Sequence, residues 1–310
     1  MTIIMSGLEH SLAPISLREQ LSFTKQQTAA MVRTIRSFPS ISGCVLISTC
    51  NRTELYLSCS EEVNPGELLC QAAGTEYAPY QDAFVTRSGK EAVRHLMEVA
   101  AGLRSRIWGE DQIISQVKAA AALAREEGAT DSVLETLFRS AVSAGKEVRT
   151  KVRLTAVPTS AASMAVALLQ EKLGTLKEKK ALVIGNGEMG RLAASLLQKT
   201  GCQVSVTLRT YRHGETIVPP GCGVVPYDER FDHMDECDIL ISATTSPHYT
   251  VTVEQLAALS TVPATLIDLA IPRDIQPEVA QLPGVSLYNI DDLGSFLENR
   301  TIPPEVTDIL

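Results

Sequence analysis

The stretch from Ser48 to Glu54 combines residue types that suit covalent chemistry on an acyl group. Cys50 offers a thiol, Asn51 a neutral amide, and Arg52 a planar guanidinium that can bind a carboxylate with two parallel hydrogen bonds. Isolated intracellular cysteines are usually small core residues, so this pattern alone leaves a structural role for Cys50 open. The alternative is a nucleophile held on a rigid scaffold.

A histidine that could activate such a thiol occurs at position 95. The segment from Ala92 to Leu103 carries apolar residues at helical spacing, which predicts an amphipathic helix with His95 near the edge of its apolar stripe. Most histidines in that position are hydrogen-bonded core residues. A thiol that reacts at neutral pH also needs such a neighbour, so both roles remain open.

A glycine-rich motif in the second half of the chain predicts dinucleotide binding. Gly185, Gly187 and Gly190 follow an apolar strand pattern and precede a helical pattern, which is the context that gives a G-x-G-x-x-G motif its meaning. The glycines permit a tight turn, close approach of a pyrophosphate and close packing of the helix on the strand. The pyrophosphate would lie at the helix N-terminus.

The end of the next predicted strand, Gln203–Thr207, indicates which dinucleotide is bound. Proteins specific for NAD place an acidic residue here for the ribose 2′-hydroxyl, and this chain instead has Arg209 and Thr210. A guanidinium and a hydroxyl suit a 2′-phosphate. The sequence therefore predicts NADPH as the cofactor.

The surrounding elements predict an α/β protein of two domains. Residues 1–156 are expected to form a mixed α/β catalytic and substrate domain with antiparallel strands, with strands at Gly43–Ile47 and Glu54–Ser58, the latter half-buried. Residues 157–310 are expected to form a Rossmann-type NADP-binding domain. Predicted helices cover Thr24–Phe38, Pro65–Ala73 and Asp131–Val152, and further predicted strands cover Asp238–Ser242, Thr265–Ala270 and Val285–Tyr288.

Composition narrows the class of protein. The chain of 310 residues is 45% hydrophobic and 21% charged, with no apolar run long enough to span a membrane, so we expect a cytoplasmic protein. Its seven cysteines are scattered without metal-ligand spacing, so neither a metal site nor a disulfide framework is expected. The net charge of −8 argues against nucleic-acid binding by overall charge. A local basic stretch, Lys146–Arg153, leaves binding of RNA phosphates open.

The motif Ser48–Tyr56 resembles the active-site signature of glutamyl-tRNA reductases, and the segment Ser105–Lys118 resembles a second block of that family. The resemblance extends from about Ile4 to about Leu297. It implies that a thiolate attacks the ester of glutamyl-tRNA and that NADPH reduces the enzyme thioester to glutamate-1-semialdehyde, in tetrapyrrole biosynthesis. Carried over, Cys50 is the nucleophile, Arg52 the anchor of the glutamate carboxylate and His95 an acid/base.

The resemblance also implies the remaining site residues. Substrate-binding residues would be Thr49, Asn51, Arg52, Ser105, Glu110, Gln112 and Gln116, although Glu110 also suits the cap of the helix that follows. Cofactor-binding residues would be Gly185, Asn186, Gly187, Glu188, Met189, Gly190, Arg209, Thr210, Ser242 and Thr244. The implied partners are glutamyl-tRNA and a semialdehyde aminotransferase.

Two departures from the family pattern keep alternatives open. Arg104, Arg106 and Trp108 replace residues that are acidic or small in the family. They leave two alternatives open: changes at the protein surface, or a related reductase with a different aminoacyl-tRNA or carrier-bound acyl donor. The chain ends at Leu310, where family members continue into a helical dimerisation domain, so we expect a monomer or a smaller dimer interface. A non-catalytic NADP-binding relative is the third alternative; the combination of Cys50, Asn51, Arg52 and His95 argues against it.

Overall fold

The computed structural model describes residues 1–9, 12–49, 51–105, 112–152, 160–209, 217–293, 306 and 309. Contacts between Cα atoms divide the chain into two compact units, Met1–Thr159 together with Asn299–Leu310, and Ser160–Glu298. No described helix is both long enough and apolar enough to cross a membrane.

The first unit contains a four-stranded antiparallel sheet with the strand order β2-β3-β1-β4, which confirms the predicted mixed α/β class with antiparallel pairing. Its strands are β1 (Thr2–Glu9), β2 (Ile41–Ser48), β3 (Arg52–Cys59) and β4 (Phe84–Ser88). Because β3 pairs on both sides, the segment that follows Cys50 is a central strand of the sheet.

Strand β3 is buried on both faces, so the prediction of a half-buried strand after Cys50 was wrong. Side chains alternate between the two faces of a strand, which places Arg52, Glu54 and Tyr56 together on one face. The sequence pattern indicated a solvent-facing polar side. The structure instead covers that side with helices, and the polar groups bond to one another inside the protein.

Helices cover the sheet of the first unit, and two of them begin at residues whose side chains cap the helix. Thr24 caps helix α2 (Lys25–Arg36) in a reciprocal pair of hydrogen bonds with Gln27. Asn64 caps helix α3 (Pro65–Ala73), which is followed by Gly74 with a left-handed φ of 72°. The predicted helix Pro65–Ala73 is confirmed. The helices are α1 (Ile15–Arg18), α2 (Lys25–Arg36), α3 (Pro65–Ala73), α4 (Gly89–Ala100), α5 (Ile113–Glu126) and α6 (Ser132–Lys151).

Helices α4 and α6 pack very closely, which fixes α4 against the sheet. A Cβ atom on Gly145 of α6 would lie 2.4 Å from the carbonyl oxygen of Ala100 in α4, so only glycine allows this approach. Phe138 of α6 also contacts Tyr56 of β3 edge to face, with ring centroids 5.4 Å apart. The same two helices therefore cover the polar face of β3.

The second unit is a six-stranded parallel sheet with the order β10-β9-β8-β5-β6-β7. Numbered within the unit, this is the 3-2-1-4-5-6 order of a Rossmann fold, so the predicted fold class is confirmed. The strands are β5 (Lys180–Ile184), β6 (Gln203–Leu208), β7 (Gly223–Pro226), β8 (Ile239–Ser242), β9 (Thr265–Asp268) and β10 (Ser286–Asn289); the helices are α7 (Ala161–Leu173), α8 (Glu188–Lys199), α9 (Arg230–Met234) and α10 (Val253–Ala257). The short edge strand β7 was not predicted.

The end of the chain differs from the predicted second domain of residues 157–310. Val306 is fully buried and packs with Ala101, Leu103 and Val148, which all belong to the first unit. This apolar side chain is thus buried against the residues that follow α4 and against α6, in agreement with the division of the chain into units.

Candidate active site

The connection between β2 and β3 is a tight turn of three residues, Thr49–Asn51. The Thr49 amide donates to the Arg52 carbonyl oxygen at 2.9 Å, and the Asn51 amide donates to the Thr49 hydroxyl at 3.2 Å. Cys50 is the middle residue of this turn in the chain and lies outside the described residues. Its covalent neighbours are thus held by one backbone bond and one bond from a backbone amide to a side-chain hydroxyl, at the start of a buried strand.

A network of charged side chains fills the polar face of β3 directly after that turn. Arg52 Nη1 donates to Glu54 Oε1 at 2.9 Å, His95 Nε2 lies 3.0 Å from the same oxygen, and the Tyr56 hydroxyl donates to Glu54 Oε2 at 2.8 Å. The side chains of Arg52 and Glu54 are completely buried. The structure thus brings together two residues that the sequence assigned to the site, Arg52 and His95, and joins them through Glu54.

Room for Glu54 comes from a glycine on the neighbouring strand. Gly7 of β1 lies directly opposite Glu54 in the antiparallel register. A Cβ atom on Gly7 would lie only 2.6 Å from Glu54 Cγ, so any larger residue would displace the carboxylate. His95 reaches this position from α4, which packs against β1.

Glu54 remains ionised although it is buried. Burial raises the pKa of its carboxyl group, but the charges of Arg52 and His95 and the hydrogen bonds from His95 and Tyr56 outweigh this effect and lower the pKa to about 2. Glu54 is therefore a carboxylate at neutral pH, and it can only accept hydrogen bonds.

A second carboxylate, Glu9 of β1, completes the surroundings of His95. Glu9 Oε1 lies 3.7 Å from His95 Nε2 and accepts a hydrogen bond from Arg87 Nη1 at 2.7 Å. Possible metal-ligand atoms of Glu9, Glu54 and His95 lie within 4.8 Å of one another. The two carboxylate oxygens already accept from Arg87 and Arg52, so arginines supply the positive charge that a metal ion would otherwise supply.

Arg52 is more constrained than a free carboxylate anchor. Besides its ion pair with Glu54, its Nη2 donates to the Arg104 carbonyl oxygen, and its buried Nε has no acceptor among the described residues. A guanidinium has five N–H donors, so donors remain for a substrate carboxylate. The anchoring role of Arg52 stays a prediction.

The other predicted substrate residues lie around the start of α5. Ser105 is buried, and its hydroxyl has no partner in the described parts of the chain. Gln112 precedes the first residue of α5 without capping it, and Gln116 lines a cleft of about 400 Å³ together with Phe23 and Ser48. Glu110 lies outside the described residues. The predicted contacts of these residues with substrate stay predictions.

Arg104 pairs with a neighbouring helix residue. Its Nε donates to Glu98 Oε2 at 2.8 Å, and Arg94 Nε donates to Glu98 Oε1 at 3.0 Å. The cationic side chain is thus engaged on the surface of α4, which weakens the hypothesis that Arg104 selects a different acyl donor. Arg106 and Trp108 lie outside the described residues.

The glycine-rich loop of the second unit fits a dinucleotide. Gly185 has a φ of 108°, and a Cβ atom there would lie 2.4 Å from the carbonyl oxygen of Ala243, in the loop after β8. Gly187 precedes α8, no side chain caps that helix, and no atom lies within 4 Å of a Cβ built on Gly187. Open space thus lies over uncapped backbone N–H groups, as a pyrophosphate requires. Asn186, Glu188, Met189 and Gly190 complete the loop.

Three residues near the ends of β6 and β7 form a cationic cluster. The guanidinium carbons of Arg209 and Arg230 lie 4.5 Å and 4.1 Å from the centre of the Tyr227 ring. Burial lowers the pKa of Arg230, and the neighbouring charge of Arg209 lowers it further. Two cations on one ring provide positive potential at the position expected for a 2′-phosphate. Thr210 lies outside the described residues.

The predicted cofactor residues Ser242 and Thr244 bond to a buried carboxylate. The Ser242 hydroxyl donates to Asp274 Oδ2 at 2.7 Å, and the Thr244 amide and hydroxyl donate to Asp274 at 2.8 Å and 2.5 Å. These contacts shape the loop after β8. Direct contact of Ser242 or Thr244 with the cofactor stays a prediction.

Asp268, at the end of β9, lies beside Asp274. It accepts hydrogen bonds from the backbone amides of Ala270 and Ile275 at 2.9 Å and 2.8 Å. Burial raises the pKa of Asp268 from 3.8 to about 8; the Ile275 amide opposes this rise, and the charge of Asp274 adds to it. Asp268 is therefore protonated in the folded protein at pH values where it is ionised in the unfolded chain.

This raised pKa predicts that the second unit loses stability as pH rises from about 4 to about 8. The stabilising contribution is complete below pH 3.8 and is lost as pH approaches 8, by an amount on the order of 5 kcal/mol. In Asp268→Asn, which cannot ionise, urea unfolding at a series of pH values should show a flatter dependence in this window. An unchanged slope would contradict the assignment.

Sequence patterns missed several residues that build these sites. Glu54 and Tyr56 lie within the motif Ser48–Tyr56, but the motif by itself indicates no role for them, and Glu9 and Arg230 lie in no motif with a predicted role. Arg52, Glu54 and Tyr56 occupy every second position of β3. This spacing in the sequence indicates that their side chains share one face of the strand. Nothing in the linear sequence indicated that Glu9 and Arg87 join the same network, since this depends on strand order.

Taken together, the parallel sheet, its glycine fingerprint and the separate buried ionic site define an oxidoreductase of two units with a Rossmann-type nicotinamide-binding unit. The family model "Glutamyl-tRNAGlu reductase, N-terminal domain" matches residues 6–152, and "Shikimate / quinate 5-dehydrogenase" matches residues 167–296.

Two relatives that the chain covers nearly completely identify one family within this class. The chain is 46% identical to glutamyl-tRNA reductase of Acetivibrio thermocellus, covering 97% of this chain and 91% of the relative, and 44% identical to that of Alkaliphilus oremlandii, covering 95% and 89%. A solved structure of glutamyl-tRNA reductase from Methanopyrus kandleri is 33% identical over 94% of this chain and 72% of its own, with a TM-score of 0.47. The chain belongs to the glutamyl-tRNA reductase family.

Proposed function

We propose that this chain reduces the glutamyl group of glutamyl-tRNA to glutamate-1-semialdehyde through a thioester on Cys50, with NADPH as reductant. The observation that carries the proposal is the buried network of Arg52, Glu54 and His95 immediately after the Cys50 turn. It supplies a carboxylate-binding cation and an acid/base within a domain that matches the family model.

Each residue has a defined task in this reaction. The Cys50 thiolate attacks the ester carbonyl, forms the C–S bond and releases the ribose oxygen of the tRNA, which takes up a proton. Arg52 binds the side-chain carboxylate of the glutamyl group, and His95 accepts and returns the proton. When bound, NADPH supplies the two electrons that convert the thioester to the aldehyde and regenerate the thiol.

NADPH rather than NADH is supported by the residues after β6. Arg209 follows β6 directly, at the position where NAD-specific proteins carry an acidic residue. Its guanidinium group lies over the Tyr227 ring. The loop around Gly187 accommodates the pyrophosphate, which all nicotinamide dinucleotides share. The 2′-phosphate therefore depends on the cationic cluster at Arg209.

Replacing Arg209 with alanine is expected to weaken NADPH binding selectively. Loss of a charge-assisted hydrogen bond costs about 1.5–3 kcal/mol, or roughly 10- to 150-fold in affinity, whereas NADH lacks the phosphate and should be little affected. Fluorescence titration with both cofactors measures the difference. Arg139→Ala, an exposed arginine of the first unit, is the control. Equal weakening of both cofactors would refute a 2′-phosphate role.

Binding of the tRNA is supported by exposed cations on α6. Lys146 and Arg149 are exposed, and exposed Lys151 pairs with Glu147 one turn earlier at 2.6 Å. These residues provide a local positive surface on an acidic chain, so we infer phosphate contacts that weaken with added salt. We place the reaction in the cytoplasm, where charged tRNA is formed, and expect a semialdehyde aminotransferase to consume the aldehyde.

One assay tests the activity directly. The protein is incubated with glutamyl-tRNA and NADPH, and the semialdehyde and oxidised cofactor are quantified. We expect equal amounts of both products. Formation of an aldehyde from another aminoacyl-tRNA, and none from glutamyl-tRNA, would replace the proposed substrate. Omission of NADPH should leave the glutamyl group bound to the protein as a thioester.

A further inference from the structure

The carboxylate of Glu54 contacts both Arg52 and His95, the two side chains of the first unit that the proposed reaction uses besides Cys50. Glu54 Oε1 accepts from Arg52 Nη1 at 2.9 Å and lies 3.0 Å from His95 Nε2, while Oε2 accepts from the Tyr56 hydroxyl. Glu54, Arg52 and His95 are each at most 2% exposed. Neither the cation nor the imidazole can therefore turn away without breaking a buried ionic contact.

The contact with Glu54 determines which nitrogen of His95 carries the hydrogen. An ionised carboxylate has no hydrogen to donate, so Nε2 must donate. In the neutral ring, Nδ1 then carries the free lone pair. Nδ1 is buried and has no partner among the described residues. A buried acceptor without a partner is costly, which points to a ligand or reacting group on that side.

We propose that Glu54 is the positioning residue of the active site: it fixes His95 so that Nδ1 serves as the acid/base, and it holds Arg52 in the same rigid unit. The inference rests on the proposed function, which supplies the attacking thiol and the ester. His95 is then the catalytic residue. Glu54 acts through it and touches neither substrate nor cofactor.

The proton balance of the acyl transfer follows from this arrangement. The S–H bond of the thiol breaks, and its proton moves to Nδ1, which leaves a thiolate and an imidazolium. The thiolate forms the C–S bond, the ester C–O bond breaks, and the departing ribose oxygen takes the proton from Nδ1. Glu54 stabilises the transient imidazolium by direct contact, as a carboxylate does for histidine in other nucleophilic sites.

Other charged groups also lie near His95 and bear on its interaction with Glu54. The charged or titratable groups that the described hydrogen bonds and ion pairs connect to His95 are Glu9 of β1, Arg52, Glu54 and Tyr56 of β3, and Arg87 of β4. Glu9 is paired with Arg87 and lies farther from the ring than Glu54, at 3.7 Å against 3.0 Å. Glu54 is therefore the dominant partner of the imidazolium.

The test measures the reactivity of Cys50 separately from the reductase reaction. Iodoacetamide alkylation of the Cys50 peptide, followed by mass spectrometry across pH, reports thiolate formation without tRNA. In Glu54→Gln we expect the alkylation profile to move up by at least about one pH unit, because the imidazolium loses its carboxylate. Single-turnover acyl transfer should slow by about 10²- to 10⁴-fold, with NADPH affinity unchanged.

Three further variants distinguish positioning from a structural role. Tyr56→Phe removes a different bond to Glu54 and should leave the alkylation profile in place. Glu54→Asp keeps the charge and should restore part of the rate. Glu54→Met, which also lacks the charge, replaces Glu54→Gln if that variant fails to fold. His95→Asn should shift the profile as far as Glu54→Gln does, and the double variant should shift it no further.

Two results would overturn the proposal. One is an unchanged alkylation profile in a folded Glu54 variant that has lost its charge. The other is an additive effect of Glu54→Gln and His95→Asn, which would show that the two residues act independently. Failure of the wild-type protein to form a thioester from glutamyl-tRNA would instead refute the proposed function, and the alkylation measurement would still report on the Glu54–His95 pair.

Discussion

Replacing Cys50 with serine is expected to abolish semialdehyde formation while leaving NADPH binding intact. A hydroxyl is far less acidic than a thiol, and an oxygen ester on the enzyme would be a poorer acceptor for reduction than a thioester. Activity should therefore fall by several orders of magnitude, as it does when other enzymes lose a nucleophile. The measurement is single-turnover reduction of glutamyl-tRNA, with cofactor titration in parallel.

A matched cysteine variant controls for this experiment. Cys222 lies in the second unit, and burial raises its pKa, so it is a poor nucleophile. Cys222→Ser should retain activity. Trapping of the glutamyl group in the absence of NADPH, followed by peptide mapping, identifies the acylated residue. An acyl group found on any other cysteine would disprove the assignment of Cys50.

Replacing Arg52 with methionine is expected to destabilise the first unit strongly, in addition to any loss of activity. The variant leaves the Glu54 carboxylate buried without its ion-pair partner, which typically costs about 3–5 kcal/mol. Urea unfolding followed by circular dichroism measures the free energy of unfolding. The control is Arg33→Met, whose pair with Glu127 lies at the surface and should contribute less than about 1 kcal/mol.

A double variant separates the two effects of this substitution. Glu54→Gln in the Arg52→Met background removes the uncompensated charge, so part of the lost stability should return although activity stays absent. An Arg52→Met protein that loses no more stability than Arg33→Met would contradict the buried ion pair. Because Glu54→Gln itself slows acyl transfer, the activity of the double variant is compared with that of Glu54→Gln alone. A lower activity in the double variant would show that Arg52 serves the substrate as well as the fold.

The sequence predicted best where local signals decide the structure. Pro65 and Gly74 bracket α3, and the glycines from Gly185 to Gly190 appear at the predicted turn between a strand and a helix. These features depend on backbone conformations that few residue types allow. The fold class followed from the same signals, because a strand-glycine-helix unit repeated with further strands implies a parallel sheet.

The sequence predicted less where contacts join distant segments. Strand β7 is short and carries two exposed residues, Gly223 and Val224, so its pattern is weak. Alternation in β3 indicated a solvent-facing side because periodicity distinguishes two faces but does not show what covers them. The partnership of Glu54 with His95 arises only once α4 packs on β1, and the bonds of Ser242 and Thr244 to Asp274 arise only once the β8 loop meets the segment after β9.

The polar face of β3 also constrains how this sheet can assemble. A slip of the strand by one residue would turn Arg52, Glu54 and Tyr56 toward the opposite side and bring Thr53, Leu55 and Leu57 into their places. Two buried charges would then lose their partners at once, whereas an all-apolar strand would tolerate the error far better. Arg52 and Glu54, which have roles in the proposed reaction, are thus also the residues that make a shifted strand register unfavourable. Selection for activity at this site would therefore also preserve the correct alignment of the strands.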